Sequence, residues 1–266
     1  MNRCTEALSQ IQPLDNKMME LVSAHVDQLT KPVGALGRIE ELAIQLAGIT
    51  GKEKPTVKSP AIIVAAGDHG IVEEGVSAYP QEVTKLMLQN FMQGRAAINV
   101  FANQIGASVS VVDVGVKGEL NHPALLDRKV KHGTNNFYRE SAMTEAEAVA
   151  AIEVGMDVAN ELIDQGHELL ILGEMGIGNT TSSSALIAAF TNKSVADVVG
   201  RGTGLDSKGP QHKVNIIEES LRRHELKTAE PLQVLAKVGG LEIAALTGAL
   251  IQASVRQVPV IVDGLI

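Results

Sequence analysis

The chain has 266 residues, enough for one large domain or one and a half with a substantial core. It holds no tryptophan, two tyrosines and four phenylalanines, so that core has to be built from Ala, Val, Ile, Leu and Met. A net charge of −8 argues against non-specific binding to nucleic acid or an anionic membrane, while leaving room for a local basic pocket around a small anion.

The N-terminal stretch MNRCTEALSQ lacks the apolar run of a signal peptide. Its Cys4 is the only cysteine, which rules out an intramolecular disulfide framework and fits a reducing cytoplasm. No segment approaches the ~20 apolar residues of a membrane span. Asp15–Leu29 places Met18, Met19, Val22, Val26 and Leu29 at helical spacing, and Pro32, Gly34 and Gly37 then interrupt it. Helical periodicity resumes over Arg38–Ile49, followed by a polar linker to Pro60.

Ala61–Ala66 is a continuous apolar run and predicts a buried strand that ends in Gly67-Asp68-His69-Gly70. In open α/β sheets ligands bind beyond the carboxyl ends of strands, which places Asp68 and His69 to line a site. His69 reads more as a structural histidine bonded to nearby backbone than as a reactant. Val72–Pro80 predicts a loop and Pro80 the start of a helix to Met92. A second helix follows Gly94, and Ser108–Val114 predicts a strand. Residues 116–141 read as irregular. Thr144 followed by Glu145 and Glu147 is an N-cap signature for a helix running to about Gln165, closed by Gly166.

The stretch around which the rest is organised is Leu169–Thr181, LLILGEMGIGNTT. Leu169–Leu172 predicts a buried strand. Gly173, Gly176 and Gly178 form a glycine turn containing Glu174, and Asn179, Thr180 and Thr181 lead into a helix over Ser182–Phe190. Glycines allow close approach of a ligand, and free N–H groups at a helix start suit a phosphate. The stretch is neither a Walker A loop nor a clean G-x-G-x-x-G. A carboxylate beside an anion site is electrostatically awkward, which points to a chemical task for Glu174. The alternative is a glycine turn that only closes the chain.

A second glycine turn, Gly200-Arg201-Gly202, precedes a helix from Gly209 that carries Lys213 near its start. A lysine there opposes the helix dipole, although a solvated lysine is the commoner case. Helices are predicted over Glu230–Val238 and Leu241–Ser254, split by Gly239-Gly240, and a strand over Val258–Val262 before Asp263-Gly264. The apolar ending Leu265-Ile266, directly after a strand, reads as a truncated sequence.

Four stretches taken together, in order along essentially the whole chain, carry a resemblance: KPVGALGR at Lys31–Arg38, GDHG at Gly67–Gly70, GEMGIGNTT at Gly173–Thr181, and KVGG at Lys237–Gly240 with VDG at Val262–Gly264. The sequence resembles the nicotinate-nucleotide–dimethylbenzimidazole phosphoribosyltransferases of cobalamin lower-loop assembly.

The resemblance implies transfer of phosphoribose from nicotinate mononucleotide to 5,6-dimethylbenzimidazole, giving α-ribazole 5′-phosphate and nicotinate. It implies an α/β fold with a Rossmann-like parallel sheet flanked by helices and a homodimer. Residues 1–55 would supply the helical N-terminal segment of a smaller domain and 56–266 the large domain. Gly176, Gly178, Asn179, Thr180, Thr181, Gly200, Arg201 and Gly202 would surround phosphate and ribose, with Glu174 and Lys213 near the nucleotide as catalytic candidates. Asp68 and Asp263 would bind substrate, and Tyr79 and Met87 would line the pocket for the aromatic base. No metal or cofactor is implied. The family's general-base glutamate lies in an R-L-G-E-G-x-G-A-like segment that residues 1–266 do not contain, so a second expectation is a nucleotide-binding fragment with little turnover.

Overall fold

In the computed structural model, which describes residues 3–200, 209–226, 229–262 and 264–266, five strands form one sheet in which every pairing is parallel. They are β1 (Pro60–Gly67), β2 (Ser108–Gly115), β3 (Leu125–Asp127), β4 (Leu169–Met175) and β5 (Val260–Ile261), in the order β3-β2-β1-β4-β5. The chain builds outward from β1 to β3 and then returns to the other side of β1. The order therefore reverses between β1 and β4, and in open α/β sheets the crevice beyond the carboxyl ends at such a switch point is where ligands bind.

β1 lies at the centre and is buried along its whole length. Its side chains alternate between two helical layers. Ala61, Ile63 and Ala65 join the core beneath α6 (Glu145–Asp164) and α11 (Leu241–Val255). On the other face Ile62 and Val64 pack with residues of α4 (Glu82–Met92) and α5 (Ala97–Ile105). Thr144 caps α6: its side chain accepts from Glu147 N–H, and Glu147 accepts from Thr144 N–H at 2.8 Å. α6 and α11 cross at reciprocal glycines. A Cβ on Gly155 would lie 1.7 Å from Ala245 O, and one on Gly248 would lie 1.8 Å from Ile152 O. Only glycines permit the two backbones to meet this closely.

Of the N-terminal helices, α1 (Arg3–Gln10) inserts Ala7 into the main core, and Arg3 pairs with Asp157 of α6. α2 (Asn16–Asp27), capped by Asp15, and α3 (Arg38–Thr50) form a hairpin with a small core of Val22, Val26 and Ala47. The remaining helices are α7 (Asn179–Thr191), α8 (Val195–Val198), α9 (Gly209–His224) and α10 (Pro231–Val238), with a 3-10 helix at Gly70–Glu74. None of the described helices is long and apolar enough to cross a membrane.

Three details differ from the sequence expectation. α1 is a helix in a stretch with no apolar face strong enough to predict one. β3 is a three-residue strand inside the segment read as irregular. β4 continues through Gly173 and Glu174 to Met175, where Glu174 pairs with Ala65 of β1, so Glu174 sits on the strand and the turn begins at Gly176.

Candidate functional site

The crevice is built from the ends of β1 and β4 and the start of α7. Gly178 caps α7 with φ +98°, a left-handed conformation that favours glycine. The N–H groups expected to be free for an anion already have partners. Ile177 N–H donates to Thr84 Oγ1, Asn179 N–H to Gly176 O, Thr180 N–H to Asn179 Oδ1 and Thr181 N–H to Gly178 O. Side-chain donors also stand in the turn. Thr181 Oγ1 and Ser183 Oγ are buried with no hydrogen-bond partner among the described residues.

Lys213, the fifth residue of α9, is buried rather than solvated, and its Nζ donates to Thr180 Oγ1 at 2.7 Å. Burial lowers its pKa from 10.5 to about 8. Glu174 accepts from the side-chain amide of Asn179. Burial first, and then the charge of Glu242, push its pKa from 4.5 up to about 7. On one side Glu174 borders an apolar cleft of about 510 Å³ with Val64, Phe91 and Ile243, which accounts for the desolvation. Glu174 and Lys213 do not form an ion pair; they bond to adjacent residues of one helical turn.

Asp68 is buried, accepts from Lys117 N–H at 2.8 Å through Oδ2, and leaves Oδ1 without a partner among the described residues. Burial raises its pKa. Tyr79 is exposed in the loop before α4, and Met87 is half-buried on α4. α4 is tied to the glycine turn through Thr84. Gly200 is exposed, and no described residue lies within 4 Å of where its Cβ would be. Arg201, Gly202 and Asp263 lie outside the described residues.

Glu242 is the part of the site that sequence reasoning missed, and its partner is His69, which the sequence placed beside the site but read as a structural histidine bonded to nearby backbone. Both are fully buried, with His69 Nε2 2.5 Å from Glu242 Oε1 and Nδ1 3.0 Å from Ser182 Oγ. His69 thus bonds side chains of α11 and α7, which lie far along the chain, and not merely nearby backbone. Burial opposes its charged form, but Glu242 more than offsets this, and its pKa is raised. The one signal for Glu242 in the sequence was an acid two residues beyond Gly240, at the start of an apolar helix.

The DBI_PRT family, described as phosphoribosyltransferase, matches residues 11–266. The nicotinate-nucleotide–dimethylbenzimidazole phosphoribosyltransferase of Chloroflexus aggregans is 50% identical over 267 residues, covering 100% of this chain and 76% of the relative. The protein of the same name from Halalkalibacterium halodurans is 48% identical, covering 100% of this chain and 74% of its own length. The crystal structure of CobT from Thermus thermophilus superposes with a TM-score of 0.88 at 44% identity, covering 98% of this chain and 75% of that one.

Proposed function

Because the chain belongs to the nicotinate-nucleotide–dimethylbenzimidazole phosphoribosyltransferase family, we propose that it transfers phosphoribose from nicotinate mononucleotide to 5,6-dimethylbenzimidazole in cobalamin biosynthesis, releasing nicotinate and α-ribazole 5′-phosphate. The observation that carries this reading is identity near 50% along the whole chain, on a fold whose switch point gathers a half-buried acid, a buried amine and unpaired hydroxyls. The match favours an enzyme over a module that only holds a nucleotide.

In this reading the phosphate meets Lys213 and the hydroxyls of Thr180 and Thr181, with Gly176, Gly178, Asn179, Gly200, Arg201 and Gly202 around phosphate and ribose. Asp68 and Asp263 complete the substrate site. Displacement at the ribose C1′ develops positive charge, which ionised Glu174 stabilises. The bond to the nicotinate nitrogen breaks, and its electron pair leaves with nicotinate. A nitrogen lone pair of the incoming base forms the new bond, and the N–H proton of that base passes to solvent water. Tyr79 and Met87 border the aromatic base and bias which base is accepted.

Residues 1–55 form the helical segment of a smaller domain and 56–266 the large one. The protein acts as a cytoplasmic homodimer without nucleic-acid partners. The exposed Val100, Phe101 and Ile105 of α5 support self-association. The negative net charge supports the absence of nucleic acid, and the lone Cys4 a reducing compartment.

The test is incubation of the protein with nicotinate mononucleotide and dimethylbenzimidazole, with both products separated by chromatography. Equal amounts of nicotinate and α-ribazole phosphate are expected. Nicotinate without the ribazole, or neither product, overturns the reading.

A further inference from the structure

The His69–Glu242 pair ties together three segments that meet at the crevice. His69 follows β1, Ser182 lies in the second turn of α7, and Glu242 begins α11. Ser182 Oγ also donates to Gly239 O at 3.2 Å. A hydroxyl has one proton, so with that proton on Gly239 O the oxygen accepts from His69 Nδ1–H. The 2.5 Å contact on the other ring nitrogen then holds one proton between Nε2 and Glu242 Oε1.

Gly240 and Gly67 have no room for a side chain because of the pair, and the two turn glycines Gly176 and Gly178 touch it. A Cβ on Gly240 would lie 2.5 Å from His69 Cε1 and 2.8 Å from Glu242 Oε2, and one on Gly67 would lie 2.8 Å from that same oxygen. A Cβ on Gly176 would lie 3.2 Å from His69 Nε2, and one on Gly178 would lie 3.0 Å from His69 Cβ. Gly67 O, 2.2 Å from a Cβ on Gly176, and Val72 Cγ2, 2.8 Å from one on Gly178, lie closer still, so the glycine turn packs against the histidine together with the end of β1 and Val72. Glu174 stands two residues before Gly176 on the same strand end.

We propose that Glu242 and His69 are positioning residues: a buried Glu242–His69–Ser182 chain fixes the glycine turn against the end of β1 and sets the charge that Glu174 presents to the nucleotide. The proposal rests on the role given above to Glu174. The charged groups facing His69 are Glu242 from α11, Asp68 from the end of β1 and Glu174 from β4; α7 contributes only the neutral Ser182. Of the two, Glu242 raises the pKa of Glu174 and the His69 ring lowers it, with the effect of Glu242 the larger.

The test follows the carboxyl of Glu174 by 13C NMR of glutamate-labelled protein, assigned with E174Q, in the wild type and in E242Q. The midpoint of Glu174 is expected to move down by roughly half to one pH unit in E242Q. An unmoved midpoint in folded E242Q overturns the proposal. Should E242Q not fold, 15N imidazole spectra of the wild type decide instead. His69 is expected to keep both ring protons at pH 7, and a neutral ring there, leaving Glu242 uncharged, overturns the proposal. The pH profile of nicotinate release separates the two readings. A profile that stays fixed while the carboxyl midpoint moves removes Glu174 from the reaction and leaves the pair's control of its charge standing.

Discussion

Lys213 donates to Thr180 Oγ1 at 2.7 Å while Glu174 accepts from Asn179, the residue before Thr180, so one helical turn holds a buried amine and a half-buried acid apart. Each is shifted toward its neutral form, the acid to about 7 and the amine to about 8. A ligand that is anionic at one end and cationic at the other restores both charges. A nucleotide with a phosphate and a pyridinium ring has that pattern.

Lys213→Met tests the amine. A lysine whose pKa falls on folding destabilises the native state while it is charged. That cost is full below about pH 8 and disappears as pH rises toward 10.5. The variant should gain roughly 1–3 kcal/mol against urea at pH 7, with the gain fading by pH 10. It should also bind nicotinate mononucleotide at least about tenfold more weakly by calorimetry, because a charged hydrogen bond to phosphate is lost. Unchanged binding would remove Lys213 from the site.

Glu174→Gln tests the acid, with the opposite dependence on pH. A carboxyl whose pKa rises on folding binds its proton more tightly in the native state, so stability falls as pH climbs from 4.5 through 7. The fall attributable to Glu174 should be about 1–2 kcal/mol, allowing for its partial exposure, and the variant should lack it. Urea unfolding at pH 5 and pH 8 measures both. In the wild type, nicotinate release should rise with pH through about 7.

Gly176→Ala and Gly200→Ala distinguish packing from recognition. A Cβ on Gly176 would lie 2.2 Å from Gly67 O, a backbone atom that cannot step aside, whereas no described residue lies within 4 Å of one on Gly200. The first variant should lose about 3 kcal/mol or more, and the second should stay within about 0.5 kcal/mol of wild type. Thermal unfolding gives both values. Equal stability of the two would mean that the turn at 176 is more open than the structure shows.

Elements with strong local signals were legible in the sequence. The apolar runs of β1 and β4, the Thr144 box and the helical spacing of α2 and α3 all rest on interactions within a few residues. α1 was not, because Ala7 and the Arg3–Asp157 bridge hold it from outside. Glu174 and Lys213 stood out as charges in unexpected places, but their partners Asn179 and Thr180 were read only as a hydroxyl-rich helix start. His69 and Glu242 lie 173 residues apart, and no local pattern joins them. The glycines read as a phosphate cradle are also clearance for that histidine, a requirement that only the packed structure reveals.

The glycine crossing of α6 and α11 makes α11 a lever. Gly248 is the fulcrum, and Glu242 lies six residues away, about 9 Å along the axis at 1.5 Å per residue. Tilting α11 by about 10° at that point would sweep Glu242 through about 1.6 Å, enough to break its contact with His69. A methyl group added at the fulcrum, well below the crevice, would thus be felt at its floor.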